Sequence, residues 1–554
     1  MPQTTPPSAD WWRSAVIYQI YPRSFADSDG DGIGDLPGIT TRLDHLTELG
    51  VDAVWLSPFY TSPQADAGYD VSNYRDVDPV FGTLADFRIL VVRARDLGLR
   101  VIVDIVPNHT SDEHPWFKQA LAAGPGSPER ERYMFRDGRG PGGDEPPNNW
   151  QSAFYGPAWT RVTESDGSPG QWYLHLFDAK QPDLNWANER VRAEFDGILR
   201  FWLDLGVDGF RVDVARGLVK ADGLPDYPVQ FQHASGESGL RTRSPLFDQP
   251  GVHAVYRRWR SLLAEYGPDK ILVAEAHVRP PSRLAQYVRP DEMHQAFNFE
   301  FLDCPYRARD LRAVITESLD ACGSVGAPST WVLNNHDDVR HVSRLGLPVG
   351  TWTDDGIGPR DQQPDLELGT RRALAMTLVQ LALPGSAYIY QGEEVGLPEH
   401  TQLPDQARQD PMFARSGGRA AGRDGCRVPI PWEPGTPARG FSPSGRTWLP
   451  QGEDWDRYAV SAQRGVDGSV YELYRAALRL RREYGLGIAA LQWVTLPGAG
   501  EDVLSFQVGD VLVVASIGGG DVPMPAGDVL LASAPLGGGA LPPDATVWIR
   551  RRAA

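Results

Sequence analysis

LRVIVDIVPN, residues 99–108, is a short β-branched run flanked by stretches that read as helix. It is one of eight. The others are AVIYQIYP (15–22), VDAVWLSP (51–58), VDGFRVDVA (207–215), ILVAEAH (271–277), AFNFEF (296–301, placed near Phe299), STWVLNNHD (329–337) and SAYIYQG (386–392). Runs of this kind with helices between them argue for an α/β protein with a parallel sheet wrapped by helices. Eight is the number that closes a (β/α)8 barrel.

The spacing is uneven, with about a hundred residues between the third and fourth runs. That interval holds GPGSPERERYMFRDGRGPGGDEPPNN (124–149), which is loop-forming by its Gly and Pro content. A small irregular domain over 109–175, carried on the barrel rim, is the expectation. Beyond the helical stretch YELYRAALRLRREYG (471–485) come short alternating strands separated by glycines, VLSFQVGDVLVVASI (503–517) and VLLASA (529–534). The expected division is a barrel over 1–108 and 176–480, an insert over 109–175, and an antiparallel β domain over 481–554.

Composition narrows the function. With 554 residues, 41% of them apolar and 23% charged, the chain can bury a large core and exceeds a single domain. A net charge of −18 argues against nucleic acid and anionic membranes as partners, since both reward clustered Lys and Arg. Cys304, Cys322 and Cys426 are an odd number without metal-ligand spacing, so neither a disulfide framework nor a zinc site is expected. MPQTTPPSADWW at the start lacks the basic and apolar stretches of a signal peptide, and no segment approaches the roughly 18 apolar residues of a membrane span. The expectation is a soluble, cytoplasmic protein.

In a (β/α)8 barrel the active site gathers at the C-terminal ends of the strands. Asp213 ends GFRVD, Glu275 ends ILVAE, and Asp337 follows STWVLNNH, so three carboxylates sit at the ends of the fourth, fifth and seventh runs. Strand-end carboxylates can instead cap the following helix. Glycoside hydrolysis needs one carboxylate as nucleophile or base and one carboxylic acid to protonate the leaving oxygen. Arg211 lies two residues before Asp213, hence on the same strand face, where a guanidinium favours the ionised carboxylate a nucleophile requires. The early loop Asp27-Ser28-Asp29-Gly30-Asp31-Gly32-Ile33-Gly34-Asp35 sets oxygen ligands at alternate positions, a pattern that suits a hard cation.

DIVPNHT (104–110), GFRVDVARG (209–217), VAEAH (273–277) and NNHDD (334–338) resemble, in order, the four signature regions of glycoside hydrolase family 13, the α-amylase superfamily. WWRSAVIYQIYPRSFADSDGDGIGDLPGI (11–39), GYDVSNY (68–74), QPDLNW (181–186) and RDGCRVPIPW (423–432) resemble its α-glucosidase and oligo-1,6-glucosidase branch. The resemblance implies Asp213 as nucleophile, Glu275 as general acid/base and Asp337 as the third carboxylate. It implies hydrogen bonds from His109 and His336 to the sugar, Arg211 orienting Asp213, and Tyr69 stacking on the sugar face. Asp66 would grip the terminal glucose together with Arg427, with Arg423 as the alternative, and Phe177 would line the site. Asp27, Asp29, Asp31, Ile33 and Asp35 would hold a structural Ca²⁺, or Mg²⁺. The implied substrate is a short α-gluco-oligosaccharide or α-glucoside. Val214, directly after Asp213, resembles enzymes that cut α-1,6 bonds, whereas α-1,4 specialists more often carry Ala or Thr. The same scaffold also serves glucosyl transferases and sucrose isomerases. Its non-catalytic, transporter-associated relatives would show a membrane span and lost carboxylates, and this chain shows neither.

Overall fold

The structure, a computed structural model, describes residues 9–228, 244–351, 353–537 and 539–551. The opening residues weighed above for a signal peptide lie mostly outside them. Strands β1 (Val16–Ile20), β2 (Ala53–Leu56), β3 (Arg100–Ile105), β4 (Gly209–Val212), β5 (Ile271–Ala274), β6 (Gln295–Asn298), β7 (Thr330–Val332) and β8 (Ser386–Tyr390) form one closed barrel. Every neighbouring pair is parallel, and β8 pairs with β1 to close the ring. All eight runs therefore supply a strand. The sixth is offset: β6 ends at Asn298, whose side chain accepts the Phe301 N–H and caps a helical turn, so Phe299 starts that turn and is not in the strand.

Period-two alternation explains why the runs are apolar almost throughout. Ile17, Ala53, Trp55, Ile102, Ile271, Val273, Phe297, Val332 and Tyr388 pack together inside the ring. Their neighbours Val16, Tyr18, Val54, Val101, Val103, Phe210, Leu272 and Ala274 face outward into the layer of helices. Strands covered on both faces leave no position for a polar residue without a partner. The helices α1 (Leu36–Leu49), α2 (Leu84–Asp96), α3 (Glu189–Asp204), α4 (Val252–Ala264), α5 (Ala308–Ser324) and α6 (Leu366–Ala382) surround the ring.

Between β3 and β4 the insert carries a small antiparallel sheet in which Pro169–Leu174 lies between Phe135–Arg136 and Trp159–Thr163. It is tied down by an ion pair between Lys220 and Asp183 of 2.6 Å, with both side chains buried. After helix α7 (Val470–Glu483) the chain forms β9 (Leu491–Trp493), β10 (Val503–Val508), β11 (Val511–Ser516), β12 (Asp528–Ala532) and β13 (Ala545–Arg550). This antiparallel sheet docks on α6, where Trp548 Nε1 donates to Leu378 O at 3.0 Å and Thr546 Oγ1 to Ala375 O at 2.9 Å. Among the described residues no helix is long and apolar enough to cross a membrane. The three cysteines are unpaired.

Candidate active site

Beyond the ends of the barrel strands lies a cavity of about 830 Å³ lined by Asp66, Tyr69, His109, Phe177, Arg211, Asp213, Glu275 and Asp337, among others. Its floor is built on Arg211. From the middle of β4 the guanidinium reaches Asp213 Oδ1 at 2.7 Å, Asp104 Oδ1 at 3.0 Å and Glu275 Oε2 at 3.6 Å. Three carboxylates thus share one cation. Burial pushes the Asp213 carboxyl up; Arg211 opposes this, while Glu275, Asp104 and Asp337 reinforce it. Asp104 is pushed up to about 6 by burial against the pull of Arg211.

The backbone fixes the two strand-end carboxylates relative to each other. Asp213 N–H donates to Ile105 O at 2.9 Å, and Ala215 N–H to Glu275 O at 2.9 Å. Between them the Val214 N–H donates to Glu275 Oε2 at 2.6 Å. Val214 has φ +43°, a left-handed conformation that β-branched residues avoid. The strain turns its amide toward Glu275 and its side chain toward the cavity.

Asp337 is held differently. Arg427 Nη2 and Arg423 Nη1 both bind its Oδ1, at 2.9 and 3.0 Å, and His336 Nε2 is 3.3 Å from Oδ2. Burial opposes the shift, but His336, Arg423 and Arg427 together hold Asp337 well below the usual carboxylate range. Its side chain is 39% exposed, against 9% for Asp213 and 16% for Glu275, so it is the carboxylate of the three most open to a ligand.

The expected partnership of Asp66 with Arg427 is corrected. Arg423 Nη2 binds Asp66 Oδ1 at 2.8 Å, and its Nε binds Asp410 Oδ2 at 2.7 Å. Arg427 points away from Asp66, with Nε on His336 O at 2.8 Å, and lies behind the cavity wall. The two arginines are separated by the tight turn Asp424–Cys426; both reach Asp337, while Arg423 alone pairs with Asp66 and Asp410.

The histidines divide as well. His109 lines the cavity and is held at about 4 by burial, hence neutral near pH 7, with Nε2 3.1 Å from the Tyr69 carbonyl and 3.1 Å from Gln181 Nε2. His336 sits behind the lining. Gln19 Nε2 lies 2.8 Å from its Nδ1, which leaves the proton on Nε2, 2.6 Å from the Tyr69 hydroxyl. The Tyr69 ring stacks on His336 at 5.2 Å with an interplanar angle of 8°. Phe177 packs on His109 at 5.3 Å. The sequence reading passed over Asp104, Gln181 and Asp410. Asp104 had a signal, a carboxylate inside an apolar strand run. Gln181 Nε2, 3.1 Å from Asp66 Oδ2, and Asp410 lie in loops, where no periodicity points to them.

In the acidic loop, carboxylate oxygens of Asp27, Asp29 and Asp35 converge to within 4.8 Å of one another. Asp31 lies outside that group; its Oδ1 accepts the Ile33 N–H at 2.7 Å, as Asp27 and Asp29 accept the N–H two residues on. Asp35 also caps α1, its Oδ1 accepting the Gly38 N–H at 2.6 Å. An all-oxygen, acidic donor set of this kind fits a hard divalent cation.

The model of the α-amylase catalytic domain matches residues 19–488. The chain belongs to the α-amylase family, glycoside hydrolase family 13. It is 41% identical over 488 residues to a probable alpha-glucosidase of Rhizobium meliloti, covering 86% of this chain and 83% of that protein. It is 37% identical to an oligo-1,6-glucosidase of Parageobacillus thermoglucosidasius, covering 86% and 84%. Among solved structures, an alpha-glucosyl transfer enzyme, XgtA, superposes with a TM-score of 0.84 at 35% identity, over 98% of this chain and 99% of the other. The trehalulose synthase MutB from Pseudomonas mesoacidophila MX-45 superposes with a TM-score of 0.82 at 30% identity, over 98% and 100%. This member of the α-amylase family is a glycoside hydrolase.

Proposed function

We propose that the enzyme is an exo-acting, retaining α-glucosidase that removes terminal glucose from short α-gluco-oligosaccharides through a covalent glucosyl-enzyme. The observation that carries this reading is the pairing of Asp213 and Glu275 on one guanidinium, in a cavity whose side is walled by the Asp66–Arg423 ion pair. In the first step an Asp213 carboxylate oxygen attacks the anomeric carbon while Glu275 protonates the glycosidic oxygen, and the bond to the leaving sugar breaks. In the second, Glu275 takes a proton from water, whose oxygen displaces Asp213 and regenerates both groups. Asp66, Arg423 and Asp337 bind hydroxyls of the terminal glucose, and a chain cannot continue past them.

Initial rates on maltose, isomaltose, sucrose and longer maltodextrins, with product analysis, test this. Free glucose should form from the short oligosaccharides, with rates falling as the chain lengthens. Val214→Thr should raise the ratio of maltose to isomaltose hydrolysis by a few-fold, since a change of one methyl-sized group shifts recognition by roughly 1 kcal/mol. A second reading, glucosyl transfer, is favoured by the two structural neighbours named as an alpha-glucosyl transfer enzyme and a trehalulose synthase. Sucrose converted mainly to isomeric disaccharides with little free glucose would establish it instead.

We also propose that Asp27, Asp29 and Asp35 hold a structural Ca²⁺ or Mg²⁺. Such an ion would tie the loop to α1 through Asp35, adding stability of about 2.7 kcal/mol at a hundred times its Kd. Chelation should lower the melting temperature, and an unchanged melting temperature with no metal by elemental analysis defeats this.

A further inference from the structure

Tyr155 and Asp355 are far apart in sequence and meet above the cavity. Tyr155 lies in the insert after β3, Asp355 in the loop after β7, and the Tyr155 hydroxyl donates to the Asp355 carboxylate. In the ring order β3 and β7 are four strands apart, so this bond joins segments that leave the barrel on opposite sides. Both residues line the cavity.

Each end is anchored. Arg415, in the loop after β8, donates from Nη2 to Tyr155 O at 2.7 Å and from Nε to Phe154 O at 3.0 Å, and pairs with Asp178 at 3.4 Å. These contacts hold Tyr155 at φ +70°, a conformation that non-glycine residues rarely adopt. Asp355 O accepts the Gly422 N–H at 2.9 Å. Next to it, Gly356 has φ +75°, and a Cβ there would stand 2.0 Å from Gly422 O, so only glycine permits this approach. The Phe154 ring lies 4.7 Å from the Arg423 guanidinium, which places the Tyr155 end against the Asp66–Arg423 wall.

We propose that Tyr155 and Asp355 form a strap that roofs the glucosyl pocket and determines how tightly a chain end is held. The strap divides the mouth: on one side β8, β1 and β2 present Arg423 and Asp66, and on the other β4 to β6 present Asp213, Glu275 and Phe299. A terminal glucose lies under the strap, and its leaving group emerges on the β4 to β6 side, beside Glu275. The proposal rests on the α-glucosidase reading above.

The test uses the full-length enzyme with Tyr155→Phe, Asp355→Ala, the double variant and Asp355→Asn. Probes are p-nitrophenyl α-glucoside as substrate and glucose as product inhibitor. Losing one charge-assisted hydrogen bond should raise KM and the glucose inhibition constant together, roughly three- to tenfold, with kcat changed less than about twofold. The double variant should be no worse than either single one, because each removes the same bond. Asp355→Asn keeps an acceptor oxygen and should retain most of the wild-type affinity. An unchanged glucose inhibition constant, additive single effects, or a fall in kcat alone overturns the strap. If the wild type does not hydrolyse the aryl α-glucoside, the α-glucosidase reading fails, and glucose binding by calorimetry in the same variants still decides the strap.

Discussion

The two sides of the cavity floor differ in their supply of positive charge. At the ends of β3, β4 and β5, the carboxylates of Asp104, Asp213 and Glu275 share the single guanidinium of Arg211. Beyond β2, β7 and β8, Asp66, Asp337 and Asp410 share two, Arg423 and Arg427. Where cations are scarce, burial pushes Asp213 and Asp104 up, and the neighbouring carboxylates add to the rise at Asp213. Where they are plentiful, Asp337 is held low and Asp410 at about 2, although burial still raises Asp66 to about 6. The first arrangement suits proton transfer and nucleophilic attack, and the second suits fixed binding of hydroxyl groups.

The largest effect expected from this contrast belongs to the first side. Asp213→Asn removes the attacking oxyanion and should lower kcat by at least about 10⁴-fold with little change in folding. Asp337→Asn should act mainly through binding and transition-state support. Equal residual activity in the two variants would erase the distinction between the two sides.

A smaller effect is expected at Arg423. Arg423→Lys replaces a planar fork that touches Asp66, Asp337 and Asp410 with a single ammonium, and should cost about 2–3 kcal/mol in kcat/KM, mostly as raised KM. If KM is unchanged and only the melting temperature falls, the arginine serves the fold and not the ligand.

The smallest effect is a pH dependence at Asp66, which burial raises to about 6 against Arg423 and Arg427. Below that pH the carboxyl is protonated and loses its charge toward Arg423, so KM should rise as pH falls through about 6. Asp66→Asn should show no such inflection. Because this carboxyl is raised from 3.8, its contribution to stability is present below about pH 4 and lost as pH rises through about 6. The melting temperature of Asp66→Asn should therefore gain on the wild type, by about 1–2 °C, between pH 4 and pH 7. A gap that is constant with pH contradicts the raised value.

The barrel was legible in the sequence because parallel strands covered on both faces must be apolar throughout, and eight such runs stand out from helical surroundings. Asp213 and Glu275 were legible for a related reason: each is a carboxylate at the end of an apolar run. The loops carry no such regularity. Nothing in RDGCRVP tells which arginine turns toward Asp66, since the tight turn at Asp424–Cys426 decides it. The Tyr155–Asp355 contact joins two loops 200 residues apart and leaves no trace in local pattern.

The central claim is that Asp213 and Glu275 act in sequence on the same anomeric carbon. Proton NMR of the first sugar released from an α-glucoside, recorded before mutarotation, tests it most directly. Two displacements predict α-glucose as that first product. β-Glucose would mean a single displacement by water, and would contradict the assignment of Asp213 as nucleophile.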